Sequence, residues 1–149
     1  MKLWQRNLIG TAVAAAAAIT ATVFILEPEW TDYRRTVVPA HIAAPRQSIE
    51  VDGQTWAVRN VSRTTTKYGS ALPEGTVQLN VLIERTGSAA EVFSCTGYLI
   101  EGERSWRGSG PPCGAEMSLP WTFLVPSSAE PTAVDVRRPD GSILLRLEL

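Results

Sequence analysis

An uncharged run of 19 residues near the amino terminus constrains this chain more than any other feature. The run extends from Leu8 to Leu26, follows the basic residues Lys2 and Arg6, and is followed by Glu27. A helix rises about 1.5 Å per residue and the hydrocarbon core of a bilayer is about 30 Å thick, so this length is just sufficient to cross a membrane. The sequence therefore predicts one transmembrane helix over residues 8–26.

The charges and aromatic residues around the run predict its orientation. Basic residues precede it and acidic residues follow it, which favours a cytoplasmic stub over residues 1–7 and an extracytoplasmic carboxyl-terminal part. Trp4 and Trp30 lie just outside the two ends, where tryptophan rings prefer the headgroup zone, so we expect both at the membrane interface. The predicted localisation is the plasma membrane, with a single pass and the lipid bilayer as a partner.

A cleaved signal peptide is the competing interpretation of the same run. Ala14, Ala16 and Ala18 supply small residues at the spacing of a cleavage site. Cleavage after Ala18 would leave the apolar segment 19–26 as a new terminus, which favours an uncleaved signal anchor. Whether the segment is cleaved stays open at this stage.

The part of the chain that follows the run has room for one domain. Residues 27–149 carry 12 basic and 15 acidic side chains, which gives a net charge of -3. A chain of this length can bury one proper hydrophobic core. Nucleic-acid binding would require clustered lysines and arginines, which this mildly acidic part lacks, so we expect no nucleic-acid partner.

Residues 27–47 show no sustained helical or strand period and contain three prolines. They are Pro28, Pro39 and Pro45. Each proline fixes its own φ and moves the preceding residue towards extended conformations, so we expect an extended tether. Its apolar residues exceed what a solvated spacer needs. Packing of the tether on a partner, on the membrane or on its own domain therefore stays open.

Short alternating segments separated by turn residues fill residues 48–149. The clearest is Val77–Arg85, in which every second residue from Val77 to Ile83 is apolar, as in a strand with one face in a core. Asp-Gly pairs at 52–53 and 140–141 are turn signals. The other predicted strands are Ile49–Val51, Thr55–Val61, Ala90–Ile100, a short strand at Trp106, Trp121–Val125, Ala133–Arg137 and Ser142–Leu149. About seven or eight such strands predict an all-β, Ig-like antiparallel β-sandwich.

Cys95 and Cys113 are the only two cysteines in the chain. An even pair outside the cytoplasm predicts a disulfide. Closing a loop of this size would stabilise the fold by about 3 kcal/mol in the chain-entropy model. A redox site would favour a C-x-x-C spacing, and a metal site would need more ligands than the single histidine, His41, can add. We therefore expect no metal and no cofactor.

Catalytic constellations are weak in this sequence. His41 lies among the prolines of the tether, so we interpret it as an exposed linker residue rather than as a catalytic base. Glu101 and Glu103 could form a carboxylate pair, but two acids around Gly102 are more typical of a solvated turn. No phosphate-binding glycine motif is present. We therefore expect a protein that is not an enzyme.

Arg104, Trp106 and Arg107 form the most suggestive binding segment. Tryptophan and arginine dominate binding hot spots, and a loop pinned by a disulfide loses little entropy on binding. We predict these three as candidate partner-binding residues. The alternative is that Trp106 packs against the disulfide in the core, as the buried tryptophan of Ig sandwiches does.

Three short motifs carry a resemblance to a known group. They are Gly53-x-x-Trp56, Leu72-Pro73-x-Gly75-Thr76, and Cys95-x-x-x-Leu99-x-x-Gly102-x-Arg104-x-Trp106. Together they resemble small single-pass actinobacterial envelope proteins with an Ig-like (telokin-like) extracytoplasmic domain, a largely uncharacterised group. The resemblance covers residues 49–149 and the anchor. It implies fold and location, and it transfers no catalytic residues.

These observations predict a non-catalytic, membrane-anchored binding or accessory subunit of a cell-envelope complex. Its expected partner is another integral membrane protein, because Gly10 and the alanines between residues 12 and 18 allow a second helix to approach closely. The alternative is a free-standing sensor or binding domain for an envelope lipid, glycan or ion.

Overall fold

The computed structural model describes residues 3–88 and 94–149, without the side chain of Arg6. The chain divides into two units, of which the first ends at Val37 and the second begins at Val38. The first unit is helical. The second unit consists of β-strands that enclose a hydrophobic core.

The first unit is one helix that begins at Leu3 and ends at Val37. It comprises α1 (Leu3–Ala21), a π-helical turn (Thr22–Leu26) and α2 (Glu27–Val37). Its most apolar 18-residue window has a mean hydropathy of 2.1, and none of that window is buried. The apolar helix predicted for residues 8–26 is therefore present and extends further at both ends. Its length and composition suit a membrane span and a signal sequence alike.

The extended conformation predicted for residues 27–47 is wrong for residues 27–37, which are helical. α2 begins at Glu27, and Pro28 lies in its first turn, directly after the π-helical turn. The N–H of Glu27 donates to the carbonyl of Thr22, so the hydrogen-bond register changes just where proline has no N–H to give. Beyond the helix, residues 41–43 form a strand of the second unit, which is the own-domain packing that the sequence left open.

The second unit contains two main sheets and a small hairpin. The strands are β1 (His41–Ala43), β2 (Ile49–Val51), β3 (Gln54–Thr64), β4 (Thr66–Lys67), β5 (Ser70–Ala71), β6 (Thr76–Gly87), β7 (Thr96–Glu101), β8 (Arg104–Arg107), β9 (Ser118–Pro126), β10 (Ala133–Arg137) and β11 (Ile143–Glu148). The five-stranded sheet has the order β1-β11-β10-β7-β8, and the four-stranded sheet has the order β2-β3-β6-β9. β1 and β11 are parallel, and the other paired strands are antiparallel.

The core lies between the two sheets. On β6 the apolar residues Val77, Leu79, Val81 and Ile83 are buried, as their alternation predicts. β9 alternates in the same way, and the five-stranded sheet supplies the facing side chains. These buried residues are Leu119, Trp121, Phe123 and Val125 on β9, and Leu99, Val134, Val136, Leu145 and Leu147 on the other sheet. The predicted all-β sandwich is confirmed at this level.

Most predicted strands are present, several with longer bounds. The strand predicted for Ala90–Ile100 is the exception, because β7 begins only at Thr96 and Cys95 precedes it. Residues 89–93 of that prediction, including Phe93, lie outside the described residues. The turns predicted at 52–53 and 140–141 are present, and Asp52 and Gly53 both have positive φ, as a tight hairpin turn requires.

Candidate functional site

The predicted disulfide is formed between Cys95 and Cys113. Both residues are buried, and no free cysteine occurs among the described residues. The bond joins the segment before β7 to the loop that connects β8 with β9. It therefore pins this loop, which spans residues 108–117, to the core.

Arg85 anchors the same loop from the four-stranded sheet. It continues the alternation of β6 onto the core side and is 2% exposed. Its guanidinium donates to the side-chain oxygen of Gln54 and lies 4.9 Å from the ring centroid of Trp56. It also donates to the loop carbonyls of Cys113, Gly114 and Glu116. Burial lowers the pKa of Arg85, and the Glu116 carboxylate raises that pKa in part.

Trp121 packs against the core side of the loop. Gly97 and Gly110 have no Cβ, so their backbone can lie directly against the Trp121 ring. A Cβ placed on Gly97 would lie 2.1 Å from the ring, and one on Gly110 would lie 2.4 Å from it. The indole N–H of Trp121 donates to the carbonyl of Pro111 at 2.9 Å. The disulfide, Arg85 and Trp121 therefore hold the loop at three separate points. Sequence reasoning missed the last two, since their contacts join distant segments.

The three predicted binding residues lie on β8, an edge strand of the five-stranded sheet, but not on one surface. Arg104 and Trp106 share a face, with the guanidinium 5.7 Å from the ring centroid, and Arg104 pairs with Glu101 at 2.9 Å. Trp106 is partly buried and packs against the core cluster. Arg107 lies on the opposite face, where the register places it beside Tyr98.

A row of polar side chains crosses that opposite, outer face of the five-stranded sheet. The strand register places Arg146 beside Asp135, Asp135 beside Tyr98, and Tyr98 beside Arg107. Asp135 is fully buried, and Arg146 donates to its two oxygens at 2.6 and 2.9 Å. We call these four residues, together with Arg137, the arginine row.

The arginine row contains three guanidinium groups, those of Arg107, Arg137 and Arg146, and one carboxylate, that of Asp135. Arg137 lies 3.6 Å from an oxygen of Asp135, and its guanidinium stacks 4.5 Å from the ring centroid of Tyr98. Hydrogen bonds to Asp135 raise the pKa of Arg146 despite its partial burial. The guanidinium groups of Arg137 and Arg146 thus share the Asp135 carboxylate, the Glu148 carboxylate also acts on Arg146, and Arg107 is exposed. Such an arrangement can bind a carboxylate or a phosphate.

The other sequence candidates lie apart from this row. His41 is exposed on β1, and Glu103 is exposed in the turn after β7. Glu101 accepts a hydrogen bond from the N–H of Glu130 at 3.1 Å in addition to its ion pair. Within residues 3–88 and 94–149 no group of three or more His, Cys, Asp or Glu residues is arranged to hold a metal ion.

The two predicted interface tryptophans lie on the helical unit. Trp4 is in the first turn of α1 and is 72% exposed. Trp30 is in α2, is 61% exposed, and stacks on Tyr33 with 5.7 Å between the ring centroids. Their position at a membrane surface stays a prediction.

Comparison with known proteins adds a structural likeness. No protein-family model and no curated protein matches the chain. The fold is similar to the crystal structure of an uncharacterized beta-sandwich protein from Clostridium difficile 630, with a TM-score of 0.42 and 6% sequence identity. The likeness covers 73% of this chain and 93% of that chain. It carries no argument about function, and the resemblance to actinobacterial envelope proteins stays a prediction.

Proposed function

We propose that the protein is a membrane-anchored, non-catalytic binding module whose β-sandwich lies outside the cytoplasm. The observation that supports this proposal is a helix of 35 residues whose most apolar 18-residue window has a mean hydropathy of 2.1 and contains no buried residue. Such a helix is stable as a single element in a bilayer, where its backbone hydrogen bonds are all internal. The disulfide is consistent with an oxidising compartment.

The charges at the two ends of the apolar run support the orientation. Lys2 and Arg6 precede the run, whereas Glu27 and Glu29 follow it. Basic residues favour the cytoplasmic side of a span, so the helix would enter the membrane from the cytoplasm and present the second unit outside. At about 1.5 Å per residue, the run would span about 28 Å, close to the thickness of the hydrocarbon core.

We also propose that the sandwich is Ig-like. β7, β10 and β11 are neighbours in the order of the C, F and G strands, and β8 lies beyond β7 as a C′ strand does. In the other sheet β3, β6 and β9 have the order of the A, B and E strands. In this topology the other sheet does not cover the outer face of the five-stranded sheet, and the arginine row lies on that outer face.

The module acts as an accessory subunit whose arginine row binds an acidic surface of another membrane protein. The arginine row also supports a second candidate function, in which the domain senses an anionic envelope lipid or glycan. Both functions use the same guanidinium groups, because bidentate recognition of carboxylates and phosphates is what arginine does well. They differ in whether the partner is a protein.

Anchoring is tested by alkaline carbonate extraction of membranes that contain the tagged full-length chain, with intact mass of the product. We expect the uncleaved chain in the membrane pellet. A chain shortened by about 20 residues in the soluble fraction would contradict the anchor and indicate a cleaved signal peptide.

Partner binding is tested by purification in mild detergents followed by mass spectrometry. We expect a defined membrane protein to copurify with the wild type and with Arg104→Gln, and to be lost with Arg107→Gln. These two variants remove one charge each from opposite faces of β8. A clean monomer in several detergents would reject the accessory function. A stabilising thermal shift with anionic-lipid vesicles or inorganic phosphate, lost in Arg107→Gln, would then favour the sensor function.

A further inference from the structure

We infer that two copies of this chain associate in parallel through α2, the helical segment that follows the apolar run. The inference rests on the proposed membrane anchoring, because anchoring gives both copies the same orientation. It extends that proposal by naming a partner, a second copy of the chain, and the residues that bind it.

An apolar stripe runs along α2. Trp30, Tyr33 and Val37 are spaced by three and four residues and therefore lie on one face of the helix. Their exposed fractions are 61%, 56% and 47%. This is the a-d-a spacing of a two-stranded coiled coil. The π-helical turn before Glu27 shifts the helical register, so the positions are counted on α2 alone.

The charges beside the stripe favour a second copy of the chain as the partner that covers it. Glu29 and Arg34 flank the stripe at the g and e positions, five residues apart, and lie about 140° from each other around one helix. They cannot pair within one helix, and no ion pair joins either to another side chain that the structure describes. In a parallel pair, the g residue of one helix meets the e residue five positions later on the other. Glu29 of each copy would then face Arg34 of its partner.

The remaining charges of α2 do not compete for these two. Asp32 and Arg35 already form an ion pair within the helix at 3.6 Å, on the side away from the stripe. One and a half heptads would be too short to dimerise freely in solution. Confinement of two anchored copies to one membrane raises their effective concentration, so a short interface suffices.

The geometry is tested by cysteine crosslinking of the full-length chain in native membranes. The native cysteines are joined in a buried disulfide, so an introduced cysteine is the reactive thiol. We expect Val37→Cys, at an a position, to form about tenfold more crosslinked dimer than Thr31→Cys on the outer side of the helix. Equal crosslinking at both positions would mean random collision and would overturn the inference.

The charge pairing is tested by reversal in the Val37→Cys background. We expect Glu29→Arg and Arg34→Glu each to reduce crosslinking about threefold to tenfold, and the double reversal to restore it. The helix dipole predicts no such restoration, because residue 34 lies in the last turn of the helix and an acid there is unfavourable in the single and the double variant alike. A double variant that crosslinks no better than the single variants would reject the Glu29–Arg34 contact.

This design tests the membrane anchor and the dimer independently of each other. Carbonate extraction of the same membranes reports anchoring regardless of crosslinking. Chains in the soluble fraction would overturn the anchor on which the dimer rests. Chains that stay in the pellet but form no specific crosslink would overturn the dimer alone.

Discussion

Replacing Arg85 by methionine tests whether a buried cation holds the disulfide loop in place. Methionine keeps much of the side-chain volume and the contact with Trp56 but donates no hydrogen bond. The side-chain oxygen of Gln54 and the carbonyl of Cys113 accept these hydrogen bonds in buried positions, so water cannot replace the lost donor there. The carbonyl of Glu116 belongs to an exposed residue and can be rehydrated.

The expected loss follows from these two buried acceptors. Each acceptor left unsatisfied costs about 1 to 3 kcal/mol. Removing the charge also removes the cost of burying the Arg85 guanidinium, which offsets part of the loss. We therefore expect Arg85→Met to lower the free energy of unfolding by about 3 kcal/mol. For a domain of this size, that loss lowers Tm by roughly 10 to 20 °C.

The assay is thermal and urea unfolding of the full-length protein in mild detergent, followed by tryptophan fluorescence. Arg59→Met is the matched control, since Arg59 lies on the same sheet, is 58% exposed and forms only a surface ion pair with Glu84 at 2.6 Å. That control should cost less than about 1 kcal/mol. If Arg85→Met unfolds at the same midpoint as Arg59→Met, the loop is held without the cation and the reasoning is refuted.

Three further predictions concern the same domain. Gly97→Ala should cost about 1 to 3 kcal/mol in urea unfolding because its Cβ overlaps the Trp121 ring, whereas the neighbouring Thr96→Ala should cost under about 1 kcal/mol. Breaking the disulfide by a double cysteine-to-alanine substitution should cost about 3 kcal/mol, and a midpoint unchanged from wild type would contradict the closed-loop argument. Hydrogen bonds from Ser142 lower the pKa of Asp140, so its stabilisation is present above about pH 4 and is lost on further acidification. Asp140→Asn should therefore flatten the fall of Tm between about pH 4 and pH 2, and an unchanged acid slope would show that this turn contributes nothing.

Local patterns were enough to predict the strands of the core. The alternation in Val77–Arg85 predicts a half-buried strand from the side-chain period alone. In the structure every second residue from Val77 to Ile83 is buried, as this period predicts. The same period continues to Arg85, yet a charged residue at a strand end is usually solvated. Only the loop carbonyls, about 30 residues later in the chain, explain why this arginine is buried.

The prediction of an extended tether over residues 27–47 failed at residues 27–37 for a local reason, and it missed the strand at residues 41–43 for a non-local one. Proline disfavours a helix locally, but a π-helical turn before Pro28 removes the need for its N–H. β1 forms because His41 and Ala43 lie beside Leu145 and Leu147, a register between segments about 100 residues apart. Periodicity within a segment carries no information about such a partner.

The arginine row was missed for the same reason, and its composition has a functional consequence. Arg146, Asp135, Tyr98 and Arg107 come from four strands, and only the register brings them side by side. Asp135 reduces the positive charge of the face, which by itself weakens attraction for an anion. It also fixes Arg146 with two hydrogen bonds, so less side-chain entropy would be lost in the anion binding that we propose. Without this carboxylate the face would carry more positive charge, but Arg146 would lose the two hydrogen bonds that hold its guanidinium in place.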